Sequence, residues 1–292
     1  MGKISIDYKR ATEVAKHVVG MMYTKKYPFN ISNIFPDESP PKNIEEGSLE
    51  HALYIFYSCS SDSMRPAEQV YESIDRIAKK VPLYYFTWLN EKDMREVLKE
   101  NLGEKEGGIG DPYKSIIENT AMLNTHYNGD PRNIRKKTID ETIKELSKFR
   151  GVKKQVAALI MKNMVKSGFW PFSKYQIPIK IDRHVLRISL GSGVITYSDS
   201  QVRHDVLTNP LSKLYREITS QGIYTQGKRI SSIELNDSFW AVGSKVCRKN
   251  NMTTCSTSCG LGCDFRPHLD KKATVYTIKE HRKEKNQLIL NL

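Results

Sequence analysis

Apolar residues recur at three- and four-residue intervals along most of the chain, the spacing of helices that bury one face. Residues 1–27 carry Ala11, Val14, Ala15, Val18, Val19 and Met22 in this register, so a helix is expected to open the chain. Four prolines (Pro28, Pro36, Pro40 and Pro41) make 28–47 an irregular connection. Ser48 is a plausible cap for a helix with the apolar body L-E-H-A-L-Y-I-F-Y, which runs to about S-C-S-S-D-S-M-R-P. Pro66 suits the first turn of a helix reaching Lys80, with Val70, Ile74 and Ile77 on one face. L-Y-Y-F-T-W (83–88) has strand propensity but no evident pairing partner, and is read as a helix entry. Helices are expected over 91–101 and 113–127, separated by the loop G-E-K-E-G-G-I-G, and a basic turn, H-Y-N-G-D-P-R-N-I-R-K-K, follows. Residues 139–149 form a helix, Gly151 a tight turn, and Val156, Leu159, Ile160 and Val165 the apolar face of a second helix. Asp182 stands at the start of another, with Val185, Leu186 and Ile188. After a break at G-S-G-V (191–194), helices are expected within 200–221 and over 232–246. The content is nearly all helix, which excludes sheet-dominated classes.

Length changes this picture little, because 292 residues suit one large domain or two lobes. Charge changes it more. A formal net charge of +13 favours a polyanionic partner, DNA or RNA ahead of an acidic membrane. No apolar run approaches the roughly 20 residues of a membrane span, and M-G-K-I-S-I-D-Y-K-R lacks a signal-peptide core. An intracellular protein is expected. Four of the five cysteines lie between 247 and 263, which points to metal rather than disulfides.

Three stretches carry candidate chemistry. Gly151 supplies a turn where a side chain would be costly, and the N–H groups of Val152, Lys153 and Lys154, with neighbouring lysines, suit a phosphate at the start of a helix. Asp182 reads either as a helix cap or as a carboxylate that stabilises developing positive charge, and one residue can do both. Cys247-x7-Cys255-x3-Cys259-x3-Cys263 can close around one metal centre, zinc or iron–sulfur. Arg248 and Lys249, inside that loop, are placed to meet phosphate or to form a solvated tip.

The stretches F-R-G-V-K-K-Q-V-A (149–157) and I-D-R-H-V-L-R (181–187) resemble, in order and separation, the paired motifs L-P-G-V-G and V-D-x-H-V-x-R of the helix-hairpin-helix DNA glycosylases, the endonuclease III superfamily. The resemblance extends more weakly from about Leu49 to Cys263. It implies an all-α, two-lobed glycosylase fold with a C-terminal [4Fe–4S] cluster loop. Residues 1–47 and 190–292 would form the cluster-bearing lobe, and 48–189 the lobe with wedge loop, hairpin and catalytic acid. Asp182 would be catalytic; Gly151, Val152, Lys153, Lys154, Gln155, Arg248 and Lys249 would contact DNA. Cys247, Cys255, Cys259 and Cys263 would hold the cluster, although every gap between them differs from the family's C-x6-C-x2-C-x5-C. F-Y-S-C-S-S-D (56–62) matches the family's wedge region, with Cys59 where glutamine is usual, so Cys59 and Ser60 join the DNA-binding candidates. Lys153 replaces the second hairpin glycine, and Gln155 stands where bifunctional members carry their Schiff-base lysine; an amide cannot form an imine. The implied function is a monofunctional base-excision glycosylase acting on a damaged, mismatched or modified base in double-stranded DNA, as a monomer. A glycosylase/lyase using Lys153 or Lys154, and a DNA-binding iron–sulfur protein without catalysis, are the alternatives.

Overall fold

The computed structural model describes residues 3–31, 34–35, 40–61, 67–102, 112–199, 201–247 and 260–263, and the backbone of 265–269 and 275–280. The chain forms two compact units, Met1–Ile34 with Pro178–Leu292, and Phe35–Ile177. Asp182 and the cysteine segment therefore belong to the first unit, and the Gly151 hairpin to the second.

The first unit opens with strand β1 (Ile4–Ile6) and helix α1 (Tyr8–Tyr23). The expected helix over 1–27 thus starts later, because Asp7 caps it: its carboxylate accepts from the Arg10 amide at 2.8 Å. Ile-Ser-Ile before the cap has the alternation of a strand and finds a partner far along the chain.

The second unit is a helical bundle. It contains α2 (Leu49–Ser60), α3 (Ala67–Lys80), a 3-10 turn (Leu83–Thr87), α4 (Glu91–Leu102), α5 (Pro112–Tyr127), a second 3-10 turn (Pro131–Ile134), α6 (Ile139–Leu146) and α7 (Lys154–Lys166). Every residue from His51 to Ser60 is buried, so α2 is the central helix, packed against α3, α5 and α7. Ser48 caps it, and Thr138 and Glu141 form a reciprocal capping box on α6. The stretch 83–88 is neither strand nor helix entry but the tight 3-10 turn, with Leu83 and Phe86 fully buried.

The chain returns to the first unit with α8 (Arg183–Gly191), β2 (Ile195–Tyr197), β3 (Gln201–Arg203), α9 (His204–Gln221), the hairpin β4 (Tyr224–Thr225) and β5 (Lys228–Arg229), and α10 (Ser232–Ala241). One wide π turn, Val242–Val246, carries α10 into Cys247. β6 (Phe265–Leu269) and β7 (Val275–Glu280) complete an antiparallel sheet in the order β3-β7-β6, and β2 pairs antiparallel with β1. Val14, Ala15 and Val18 of α1, Val185 and Leu186 of α8, and Leu207 and Leu211 of α9 share one core. The periodicity did not foreshadow the short strands, since two or three residues are too few to display a period of two.

Candidate functional site

The hairpin between α6 and α7 turns on Gly151, whose φ of +75° is a left-handed value that glycine adopts without penalty. A Cβ there would make only ordinary contacts, 3.7 Å from Ser115 Oγ and from the Ser60 carbonyl, so backbone conformation rather than space requires glycine. The Val152 amide donates to the Phe149 carbonyl at 3.1 Å and that of Lys153 to the Gly151 carbonyl at 3.2 Å. Two of the three amides expected to meet a phosphate are thus used within the turn, and the Val152 side chain is buried. Lys153, the N-cap of α7, has extended backbone (φ −89°, ψ 174°) that a lysine tolerates, and its side chain makes no capping bond. Lys153 and Lys154 are exposed and Gln155 is half-buried. The helix start therefore combines the positive end of the peptide dipole with two lysines.

Asn119 of α5 holds this turn from behind. Its amide oxygen accepts from the Arg150 N–H at 2.7 Å, its amide nitrogen donates to the Arg150 carbonyl at 3.1 Å, and Arg150 pairs with Glu118. No local signal marks Asn119, which lies about 30 residues earlier in the chain.

Cys59 and Ser60 occupy the last turn of α2, with exposures of 0% and 1%. Cys59 Sγ lies 3.3 Å from the Asn163 amide nitrogen and 3.7 Å from the Tyr71 hydroxyl. Both side chains are closed off from solvent in this conformation, because α2 is buried from His51 to Ser60 and sits at the centre of its unit. Asp62 lies outside the described residues.

In the first unit Asp182 is the N-cap of α8. Its Oδ1 accepts from the amides of His184 at 2.8 Å and Val185 at 3.1 Å, which leaves Oδ2 outside both bonds. Burial by itself would raise the carboxyl's pKa. The charges of His184 and Lys180 and the two amide bonds outweigh it, and the group sits below the usual carboxylate range. Burial pushes the imidazoles of His184 and His204 down, although Asp182 opposes this in both. Asp182 is accordingly ionised at pH 7.

His184 also explains a glycine. A Cβ on Gly243, in the π turn, would lie 2.4 Å from the His184 Cβ, so only glycine lets this turn meet the start of α8. Arg187 seals the contact by donating to the Gly243 carbonyl and lying 3.1 Å from His184 Nδ1.

Cys247 and Cys263 are half-buried against the core of the first unit, and neither forms a disulfide. Cys255, Cys259, Arg248 and Lys249 lie outside the described residues, among which no three of His, Cys, Asp and Glu converge on a metal position. Arg10 fixes the returning limb of the segment: it donates to the carbonyls of Leu261 and Gly262, and through Nε to Ser192 at the end of α8, at 2.9 Å. Its partners lie about 180 and 250 residues away, beyond any sequence pattern. Among the described residues no helix is long and apolar enough to cross a membrane.

No family model matches the chain, and no curated protein matches its sequence. Solved structures do match it. One is a non-covalent endonuclease III–DNA complex, 16% identical, with a TM-score of 0.53 over 88% of this chain and 94% of that one. Another is a trapped endonuclease III–DNA covalent intermediate, the estranged-adenine complex, 15% identical, with a TM-score of 0.50 over 84% and 89%. At such identity the likeness is one of fold: the chain has the predominantly helical, helix-hairpin-helix fold of endonuclease III.

Proposed function

We propose that this protein is a DNA glycosylase that releases a damaged, mismatched or modified base from double-stranded DNA by hydrolysis. The observation that carries the reading is Asp182. It is an ionised, amide-anchored carboxylate in the I-D-R-H-V-L-R motif, within a fold shared with proteins solved on DNA.

Breaking an N-glycosidic bond sends the bonding electron pair to the departing base and leaves positive charge on the sugar. A fixed carboxylate stabilises that charge and orients the water that attacks the anomeric carbon. Two amide bonds to Oδ1 hold the group in place, and Oδ2 is the oxygen available to the water and its proton. Lys153 and Lys154, at the start of α7, bind backbone phosphate. Gln155 offers no amine, which supports water rather than lysine as the nucleophile.

The four cysteines suit a [4Fe–4S] cluster by their thiolate chemistry. The two that are described, Cys247 and Cys263, end the segment on the same core, where a cluster would brace the loop. Arg10 and the π turn position these two ends.

A panel of duplexes, each with a single lesion or mismatch, tests the reading by base release, followed with and without alkaline cleavage of the abasic product. Release of one base class without spontaneous strand scission is expected. Efficient borohydride trapping on DNA would identify a lyase instead, and its loss in Lys153→Ala or Lys154→Ala would name the amine. No base release from any duplex, with duplex binding retained, would leave a binding protein.

A further inference from the structure

The described residues include seven large hydrophobic side chains that are substantially exposed, and three of them fall within five positions of one turn. Tyr84 is 40% exposed, Tyr85 47% and Trp88 81%. The turn itself is held firmly. Leu83 and Phe86 point inward and are fully buried; the Glu50 carboxylate accepts from the amides of Leu83 and Tyr84, and Asn124 donates to the Thr87 carbonyl at 2.8 Å. The tyrosine rings lie 4.7 Å apart, tilted by 36°. The two tyrosines thus brace each other, and Trp88 projects into solvent.

Their place in the second unit separates them from the hairpin. Glu50, at the start of α2, reaches the aromatic turn, whereas the Ser60 carbonyl, at its end, lies beside Gly151. The helix between Glu50 and Ser60 rises roughly 15 Å at 1.5 Å per residue, so these two anchor points are separate along α2. Cations also stand close to the turn in the chain. Lys79 and Lys80, in the last turn of α3, are exposed. The nearby carboxylates are engaged: Glu50 by the two amides, Glu91 by Arg95 at 2.8 Å, and Asp93 by the Asn90 side chain at 2.7 Å.

From this juxtaposition we infer that Tyr84, Tyr85 and Trp88, with Lys79 and Lys80, form a second nucleic-acid site that stacks the unpaired bases of a single strand. Aromatic faces beside cations are what an unpaired strand requires, since every base has a face to stack and every phosphate a charge. A duplex hides those faces, so the site is selective for single strands and independent of the hairpin.

Oligothymidylate and an equally long strand of abasic tetrahydrofuran units are the probes, titrated against the full protein and against its Lys153→Ala/Lys154→Ala variant. In both backgrounds the base-bearing strand binds more tightly and quenches tryptophan fluorescence. Tyr84→Ala/Trp88→Ala weakens oligothymidylate binding by about tenfold or more, while abasic-strand binding and base release from duplex DNA stay as they were. Trp88→Phe retains affinity but loses the quench. These rings are exposed, so the variants keep the fold, as circular dichroism would register. Equal binding of the two strands by the unaltered protein, or full oligothymidylate affinity in the double variant, overturns the inference. So does self-association in sedimentation that vanishes in Trp88→Ala, which assigns the patch to a second copy of the chain. Failure here leaves the glycosylase reading intact, because that reading rests on Asp182 and duplex substrates.

Discussion

Two helix starts, one in each unit, treat the same electrostatic feature in opposite ways. Both α7 and α8 begin with amides that lack an intrahelical acceptor. At α8 the chain supplies its own anion: Asp182 accepts from two of these amides and stays ionised. At α7 the corresponding residue is Lys153, whose side chain makes no capping bond and adds positive charge. One helix start therefore presents a built-in carboxylate, suited to a developing cation, and the other a cationic end suited to an external phosphate. Capping residues usually serve helix stability; under the proposed function the choice of cap would also separate two chemical roles.

The largest effect is expected from removing the charge but not the shape at α8. Asp182→Asn keeps an oxygen for the two amides, so duplex binding should hold while base release falls by about a hundredfold or more. Single-turnover release beside a binding titration reads both; unchanged release would reduce Asp182 to a cap.

The next effect is steric. Gly243→Ala brings a methyl group to 2.4 Å from the His184 Cβ and must displace the start of α8 or the π turn. A destabilisation of about 1–3 kcal/mol is expected, seen as a lower urea midpoint, together with slower base release as Asp182 moves. An unchanged midpoint would show that the contact relaxes freely.

Lys153→Asp makes α7 resemble α8. A capping carboxylate should stabilise the protein by about 0.5–2 kcal/mol and weaken duplex binding by roughly tenfold as attraction to a phosphate is replaced by repulsion. Stability and affinity thus move in opposite directions. If both fell together, Lys153 would be a structural residue. In Lys153→Ala/Lys154→Ala the slope of log affinity against log salt should shrink by about one unit for each phosphate that the variant no longer neutralises.

The smallest effect is pH-dependent. Burial holds His184 and His204 below the usual imidazole range, so the unfolded chain takes up protons first as pH falls through about 6.5. Stability should be complete above that value and decline as pH drops toward the lowered folded-state values. Asp182 follows in stronger acid, since its depressed carboxyl stabilises the fold above the ordinary carboxylate range and ceases to as pH falls through its folded pKa. Urea midpoints from pH 8 to pH 4 trace the histidine step and the onset of the carboxyl one. A flat profile between pH 7 and pH 5.5 would contradict the burial of the histidines.

What the sequence determined by itself is what neighbouring residues decide among themselves. The 3.6-residue period marks most of the helices, Gly151 marks a turn that needs a left-handed φ, and Asp182 marks a helix start, because propensity, capping and steric limits act within a few residues. Only the tertiary structure decided which helix lies at the centre of a unit, and hence that Cys59 and Ser60 are buried with α2. It also paired Ile4–Ile6 with Ile195–Tyr197, set Asn119 behind the hairpin, drew Arg10 across to Ser192 and Leu261, and left Tyr84, Tyr85 and Trp88 facing solvent. The reason is physical. These outcomes are pairings between groups far apart in the chain, chosen by which apolar faces can be buried together, and that competition leaves no trace in the spacing of nearby residues.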